Sequence, residues 1–259
     1  MTGKILKISD DFWNIRGSFK VGPIDIGTQS ALVRRHNDSF IFLDSYTLSD
    51  SASEDVDQQT KGRDNVEAIL NVHPFHTIHV EYMHQRYPQA KLYGTARHKK
   101  LFPHLPWQTL CTNEKLLHEE FSDVFEFSVP RGVDFISENE NVHFSSVLVY
   151  HRDTNALYVD DTLMYLRYPS LLRWCGLKDR TSFHLTLAKA LEKKTGASEE
   201  FRGWAKEMIT KWADAEVLCA AHMGTLVSAT SGGPSIGERM TQALERVEGT
   251  LNAHERKFS

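Results

Sequence analysis

The chain has 259 residues, 41% apolar and 25% charged, with a formal net charge of −4: long enough for a sizeable core, and acidic enough to argue against a nucleic-acid partner. No apolar run approaches a membrane span, and the first ten residues hold no apolar h-region, so no membrane partner and a cytoplasmic location are expected. Cys111, Cys175 and Cys219 lie far apart and in no Cys-x-x-Cys pair, which argues against a disulfide framework and a thiolate zinc site.

Elements are predicted from hydrophobic period and turn chemistry. Strands are expected at 5–8, 12–21, 24–35 and 40–44 as an antiparallel meander, with Asn37-Asp38 as a hairpin turn. The polar run 45–62 reads as a surface loop. A buried strand over 66–72 leads into a His-rich stretch, a helix to Tyr87, a strand at 90–93 and a helix over 97–101. The segment 102–120, with Pro103 and Pro106, reads as irregular. Strands follow at 123–129, 133–137, 142–150 and 156–161, the last two joined by a turn at 152–155. Helices are predicted over 182–194 and 199–214, the second with Phe201, Trp204, Ala205, Met208 and Trp212 on one stripe. A buried strand at 217–220 ends at His222, and a final helix runs over 235–254. With no repeat or composition break, residues 1–259 read as a single layered α/β domain.

Five residues stand at or just beyond predicted strand ends: His73, His76, His143, Asp161 and His222. Strand ends on a rigid sheet can present side chains to a shared site. Imidazole and carboxylate without thiolate suit zinc, iron or manganese. Each residue also has a plainer reading. His73 and His76 taken singly read as buried core imidazoles, and His79 as a helix-face residue. Asp160 reads as a turn residue, and Asp161 as a cap or a partner of Arg167 or Arg173. The other His residues, His98 and His118 among them, lack a context that points to chemistry.

Order and context together carry a resemblance. Asn71-x-His73-x-Phe75-His76, between a buried strand and a helix, resembles the His-x-His-x-Asp-His motif of the metallo-β-lactamase superfamily. His143, the strand Ala156-Leu157-Tyr158-Val159-Asp160-Asp161-Thr162, and Ala221-His222-Met223-Gly224 resemble its later ligand positions. The resemblance spans about 24–222 and implies a four-layer αββα sandwich with a metal centre between its sheets. It implies one metal site on His73 and His143, with Asn71 where a His belongs, and another on His76, Asp161 and His222, with Phe75 where an Asp belongs. Phe cannot coordinate, and an amide oxygen is a weak ligand for a transition metal. One ion per chain, zinc or else iron or manganese, is therefore expected on four of the five retained ligands, with Asn71, His79 and Asp160 as weak or supporting groups.

The function so implied is metal-dependent hydrolysis of a small-molecule ester, lactone, amide or thioester. Two alternatives remain beside it: a binding protein that keeps the fold without catalysis, and an iron redox protein of the same fold. Loops 45–62 and 102–120, with Tyr46, Phe102, Trp107 and Tyr165, are the expected pocket walls. The sequence leaves the oligomeric state open.

Overall fold

The computed structural model of the chain describes residues 4–168, 174–222 and 224–259, with main chain only at Val21 and Ile24. The chain gathers into two compact units, 1–126 with 152–154, and 127–151 with 155–259.

The first unit is built on a seven-stranded sheet of order β1-β2-β5-β6-β7-β8-β9. Strands β1 (Lys4–Lys7), β2 (Phe12–Gly17), β5 (Thr28–Arg34) and β6 (Phe40–Leu43) form the expected antiparallel meander. A small hairpin, β3 (Lys20–Val21) with β4 (Ile24–Asp25), projects from it. The Asn37-Asp38 turn forms as predicted: Asp38 takes φ 63°, and the Asn37 side chain accepts from the Ser39 N–H. From β6 onward the sheet is parallel, through β7 (Val66–Leu70), β8 (Lys91–Gly94) and β9 (Trp107–Cys111). The near-continuous apolar runs Phe40-Ile41-Phe42-Leu43 and Ala68-Ile69-Leu70 suit strands buried on both faces. Leu43 pairs with Leu70 and Leu70 with Tyr93. Strands β6 and β7 thus end level with Tyr93 of β8, and the residues just past the three strands, from Asp44, Asn71 and Thr95 onward, emerge along one edge.

Two expectations for this unit are corrected. Residues 45–62 are not a loop but largely a helix, α1 (Asp50–Thr60). Its Ser49 side chain accepts from the Ala52 N–H as an N-cap, and Ala52, Val56 and Thr60 bury one face at a spacing of four. The segment 102–120 is not irregular throughout: β9 starts directly after Pro106, and a helix (Lys115–Glu120) follows. Both prolines lie before the strand and so cost it no ladder bond. Two further helices, α2 (Val80–Arg86) and α3 (Ala96–Leu101), follow β7 and β8, which makes the Lys115–Glu120 helix α4.

The second unit carries a five-stranded sheet of order β10-β11-β12-β15-β16. Strands β11 (Leu148–His151) and β12 (Ala156–Val159) are antiparallel across the expected turn, where Asn155 takes φ 47°. Strand β12 pairs in parallel with β15 (Val217–Ala220), which turns back into β16 (Gly224–Val227); β10 (Phe125–Ser128) is the other edge. A separate hairpin joins β13 (Leu163–Leu166) and β14 (Arg180–Phe183).

Helix α5 is only Leu187–Ala190, where a helix over 182–194 was expected. The first part of that segment is strand, because Phe183 is drawn into the core while Leu185 stays 86% exposed. Over 133–137 only a bridge from Val133 to Leu191 forms. Helix α6 (Ala197–Lys211) buries the predicted Phe201, Trp204, Ala205 and Met208 stripe, with Trp212 just beyond its end. A short α7 (Ser228–Ser231) precedes α8 (Ile236–Phe258), which opens with a Ser235/Glu238 capping box. Arg202 of α6 pairs with Glu248 and Glu255 of α8. These helices cover a core in which each large apolar side chain contributes about 1.5–3 kcal/mol. Among the described residues no helix is long and apolar enough to cross a membrane.

Candidate metal centre

In the first unit the level strand ends assemble the His-rich stretch. Asp44, held at φ 58°, accepts from the Val72 N–H at 2.8 Å and so anchors the chain just before His73. Asn71 is fully buried. Its Oδ1 accepts from the Ser45 N–H at 3.2 Å and the Ser45 hydroxyl at 2.7 Å, while its Nδ2 donates to the Tyr93 carbonyl at 3.0 Å. Both lone pairs of the amide oxygen are thereby used. Asn71, expected as a weak ligand, is instead a brace across the ends of β6, β7 and β8.

His73 is also fully buried, and its Nδ1 accepts from the Phe75 N–H at 3.1 Å. A neutral ring that accepts on Nδ1 carries its proton on Nε2, the reverse of the ligating pattern, in which one nitrogen faces the metal and the other donates. Its ring lies 4.1 Å from that of His76, centroid to centroid. Phe75, where the motif has a carboxylate, lies under the Arg97 guanidinium at 4.7 Å. His79 precedes α2, with Nδ1 2.8 Å from the Thr47 hydroxyl and its ring edge-on to Tyr46. Burial, and then the neighbouring His76, hold its pKa below the ordinary 6.5. It belongs to the wall of that turn.

His98 is a site residue that sequence reasoning missed. Thr95 N–H donates to its Nδ1, which leaves the proton on Nε2, 3.3 Å from the His76 carbonyl. Burial chiefly pushes its pKa down to about 4. The neutral ring therefore holds the His76 turn by a hydrogen bond. The Thr95-x-x-His98 spacing at the start of α3 was the available signal, since the two side chains form a capping box.

In the second unit the parallel pairing of β12 with β15 sets Val159 opposite Ala220. The residues that follow, Asp160-Asp161 and Ala221-His222, leave side by side, tied by the Ala221 N–H to the Val159 carbonyl. Asp160 and Asp161 are 2% and 4% exposed. His222 Nε2 is 3.0 Å from Asp161 Oδ1, and the donor atoms of Asp160, Asp161 and His222 lie within 4.8 Å of one another. Thr162 fixes the turn, donating to the Phe144 carbonyl and accepting from the Ser146 N–H. The partner of Asp161 is thus His222 rather than Arg167, while Arg173 and Met223 lie outside the described residues. His143 is not brought into this group: its Nε2 sits 2.5 Å from the Glu140 carbonyl, three residues back. The segment around it carries no strand to aim it, since β11 begins only at Leu148. Asp160, read as a turn residue or supporting group, stands fully within the cluster.

Two carboxylates this close and this buried disfavour joint ionisation unless a cation compensates them. One imidazole supplies at most one charge. The donor set, oxygen and nitrogen without sulfur, fits a divalent ion of the zinc, iron or manganese type.

No family model matches the sequence, and no curated protein matches it. Solved structures do. The chain is similar to the DIM-1 metallo-β-lactamase, with 12% identity and a TM-score of 0.60 over 96% of this chain and 99% of that one. It is similar to the metallo-β-lactamase from Pontibacter korlensis, with 12% identity and a TM-score of 0.58 over 94% and 99%. It is similar to FIM-1 from Pseudomonas aeruginosa in the mono-zinc form, with 11% identity and a TM-score of 0.56 over 95% and 96%. Likeness of this extent at so low an identity concerns the course of the backbone, and on that ground the chain has the metallo-β-lactamase fold, the α/β class that its motifs implied.

Proposed function

We propose that the chain is a one-metal hydrolase of the metallo-β-lactamase superfamily, acting on a small-molecule ester, lactone, amide or thioester. The observation that carries this reading is the Asp160–Asp161–His222 group, two buried carboxylates beside a half-buried imidazole, at the ends of two parallel strands. A bound ion would polarise the substrate carbonyl and make water acidic enough to attack at neutral pH. His222 Nε2 and Asp161 Oδ1, 3.0 Å apart, would both face the ion. With Phe75 in the place of the motif's acid, Asp160 is the carboxylate at hand to take the proton of the attacking water. One ion rather than two is supported by Asn71, whose oxygen accepts from Ser45, and by His73, whose Nδ1 accepts from Phe75. FIM-1, one of the similar structures, was described in a mono-zinc form.

The test is to purify the full chain without chelator, count metal per chain, and assay esterase, lactonase, thioesterase and amidase substrates. About one ion per chain is expected, with metal and turnover both lost in His222→Ala. A metal-free protein that gains neither metal nor activity on reconstitution with zinc, iron or manganese would overturn the reading.

A second reading is favoured by Phe75 and Arg97, which set a cation over an aromatic ring where the motif carries a carboxylate. On that reading the protein binds a metal and a ligand without turnover. It is distinguished by a full metal complement with no activity in any substrate class.

A further inference from the structure

Away from the strand-end donors, the second unit holds a cavity of about 780 Å³ between the β13–β14 hairpin, the end of β16 and the start of α8. Its lining has five cationic side chains, Arg167, Lys178, Arg180, Arg239 and Arg246, against one carboxylate, Asp179. This local excess sits in a chain whose net charge is −4. Arg239 is only 7% exposed, at the floor of the cavity. Its Nε donates to the Pro234 carbonyl at 2.9 Å and its Nη2 to the Gly232 carbonyl at 3.2 Å. Arg246 donates to the Thr181 carbonyl at 3.0 Å. Asp179 is engaged by the Tyr168 N–H and the Tyr165 hydroxyl. Among the described residues, none of the five cations makes an ion pair with a carboxylate.

The loop before α8 is shaped around the buried guanidinium. Gly232 and Gly233 take φ 64° and 81°, and a Cβ on Gly233 would lie 3.3 Å from Arg239 Nη2. Arg239 therefore fixes the floor, and Arg167, Lys178, Arg180 and Arg246 stand exposed around it. Gathering like charges costs free energy that an anion offsets, and guanidinium groups match tetrahedral oxyanions in geometry. The volume is that of a small-molecule site.

We propose that this cavity binds a multiply charged phosphate group, carried by a free polyphosphate or nucleotide, or by a phosphorylated lipid headgroup. It is a site separate from the strand-end donors and does not depend on the hydrolase reading.

The test titrates sodium tripolyphosphate into the full chain by calorimetry at low ionic strength. It is repeated with Arg180→Gln/Arg246→Gln, with Arg131→Gln as a control, and with His222→Ala to remove a phosphate-binding metal. Saturable 1:1 binding is expected, weakened at least about tenfold in the double variant, as the loss of roughly 1.4 kcal/mol would give. It should be unchanged in Arg131→Gln, which alters a separate surface ion pair with Glu207. It should also persist in His222→Ala. A parallel arm sediments the chain with vesicles containing phosphatidylinositol bisphosphate, against phosphatidylserine vesicles of equal charge. Binding to the first only, lost in the double variant, would place the phosphate on a lipid. Absence of saturable binding in both arms overturns the proposal. So does equal affinity in a double variant that folds by circular dichroism, or loss of binding in His222→Ala.

Discussion

The amide of Asn71 meets three groups from two neighbouring strand ends, all buried. Asn71→His, which restores the motif residue, removes the acceptor of two Ser45 donors. It is expected to cost about 1–3 kcal/mol in urea unfolding and to leave the metal count at one, because His73 still accepts from Phe75. A rise to two ions per chain would show that the brace is not what excludes a second metal. This is also where the sequence was least legible. An Asn in a ligand slot reads as an oxygen donor until Ser45 and Tyr93, 26 and 22 residues away, are seen to occupy it. Asp161 and His222 were legible because each ends a strand whose apolar run is unmistakable. Asp160 was not separable from its neighbour, because two consecutive residues at a strand end differ only in the turn that follows.

At the scale of elements, α1 depends on its cap. Ser49→Ala is expected to lower stability by about 1 kcal/mol, read from the urea midpoint. Gly132 takes φ 71°, and a Cβ there would stand 2.0 Å from the Ala197 carbonyl at the start of α6. Gly132→Ala should therefore lower the midpoint by clearly more than a loop substitution does, since both the backbone and the helix contact oppose it. Arg35, at the end of β5, joins Glu67 of β7 at 2.9 Å and Asp123 at 2.8 Å. Burial alone would raise the Glu67 carboxyl, yet the Ser39 hydroxyl and Arg35 leave it below its ordinary 4.5; Asp123 is likewise held below 3.8. Both groups bind fewer protons folded than unfolded in that range. Their contribution is whole above about pH 4.5 and is lost as pH falls through the lowered values. Arg35→Met should flatten the acid limb of a urea-midpoint against pH plot; an unchanged limb would refute the linkage.

The same scale explains what periodicity conveyed. The meander, the parallel strands and α6 were legible because their apolar spacing is strict. Helix α1 was hidden because only Ala52 and Val56 mark its buried face, among Ser and Asp residues that also favour turns. The 182–194 segment misled because Leu187, Ala190 and Leu191 do share a face, but over a single turn of helix.

For the molecule as a whole, the fold was legible from motif order even though the likeness to solved structures rests on 10–12% identity. A ligand that binds only the folded chain stabilises it, by about 2.7 kcal/mol at one hundred times its Kd. Chelation should therefore lower the midpoint of thermal unfolding in the wild-type chain and have no effect in His222→Ala. Equal midpoints with and without chelator in the wild type would tell against a resident ion.

The Asn71 brace then has a consequence for the apo protein. In the first unit the strand ends are tied by amide, hydroxyl and carbonyl groups that need no ion. In the second, two buried carboxylates face one imidazole. After chelation, amide hydrogen exchange should quicken around 160–162 and 221–222 while 71–73 stays protected, so that losing the ion loosens the carboxylate-bearing strand ends and leaves the braced ones set.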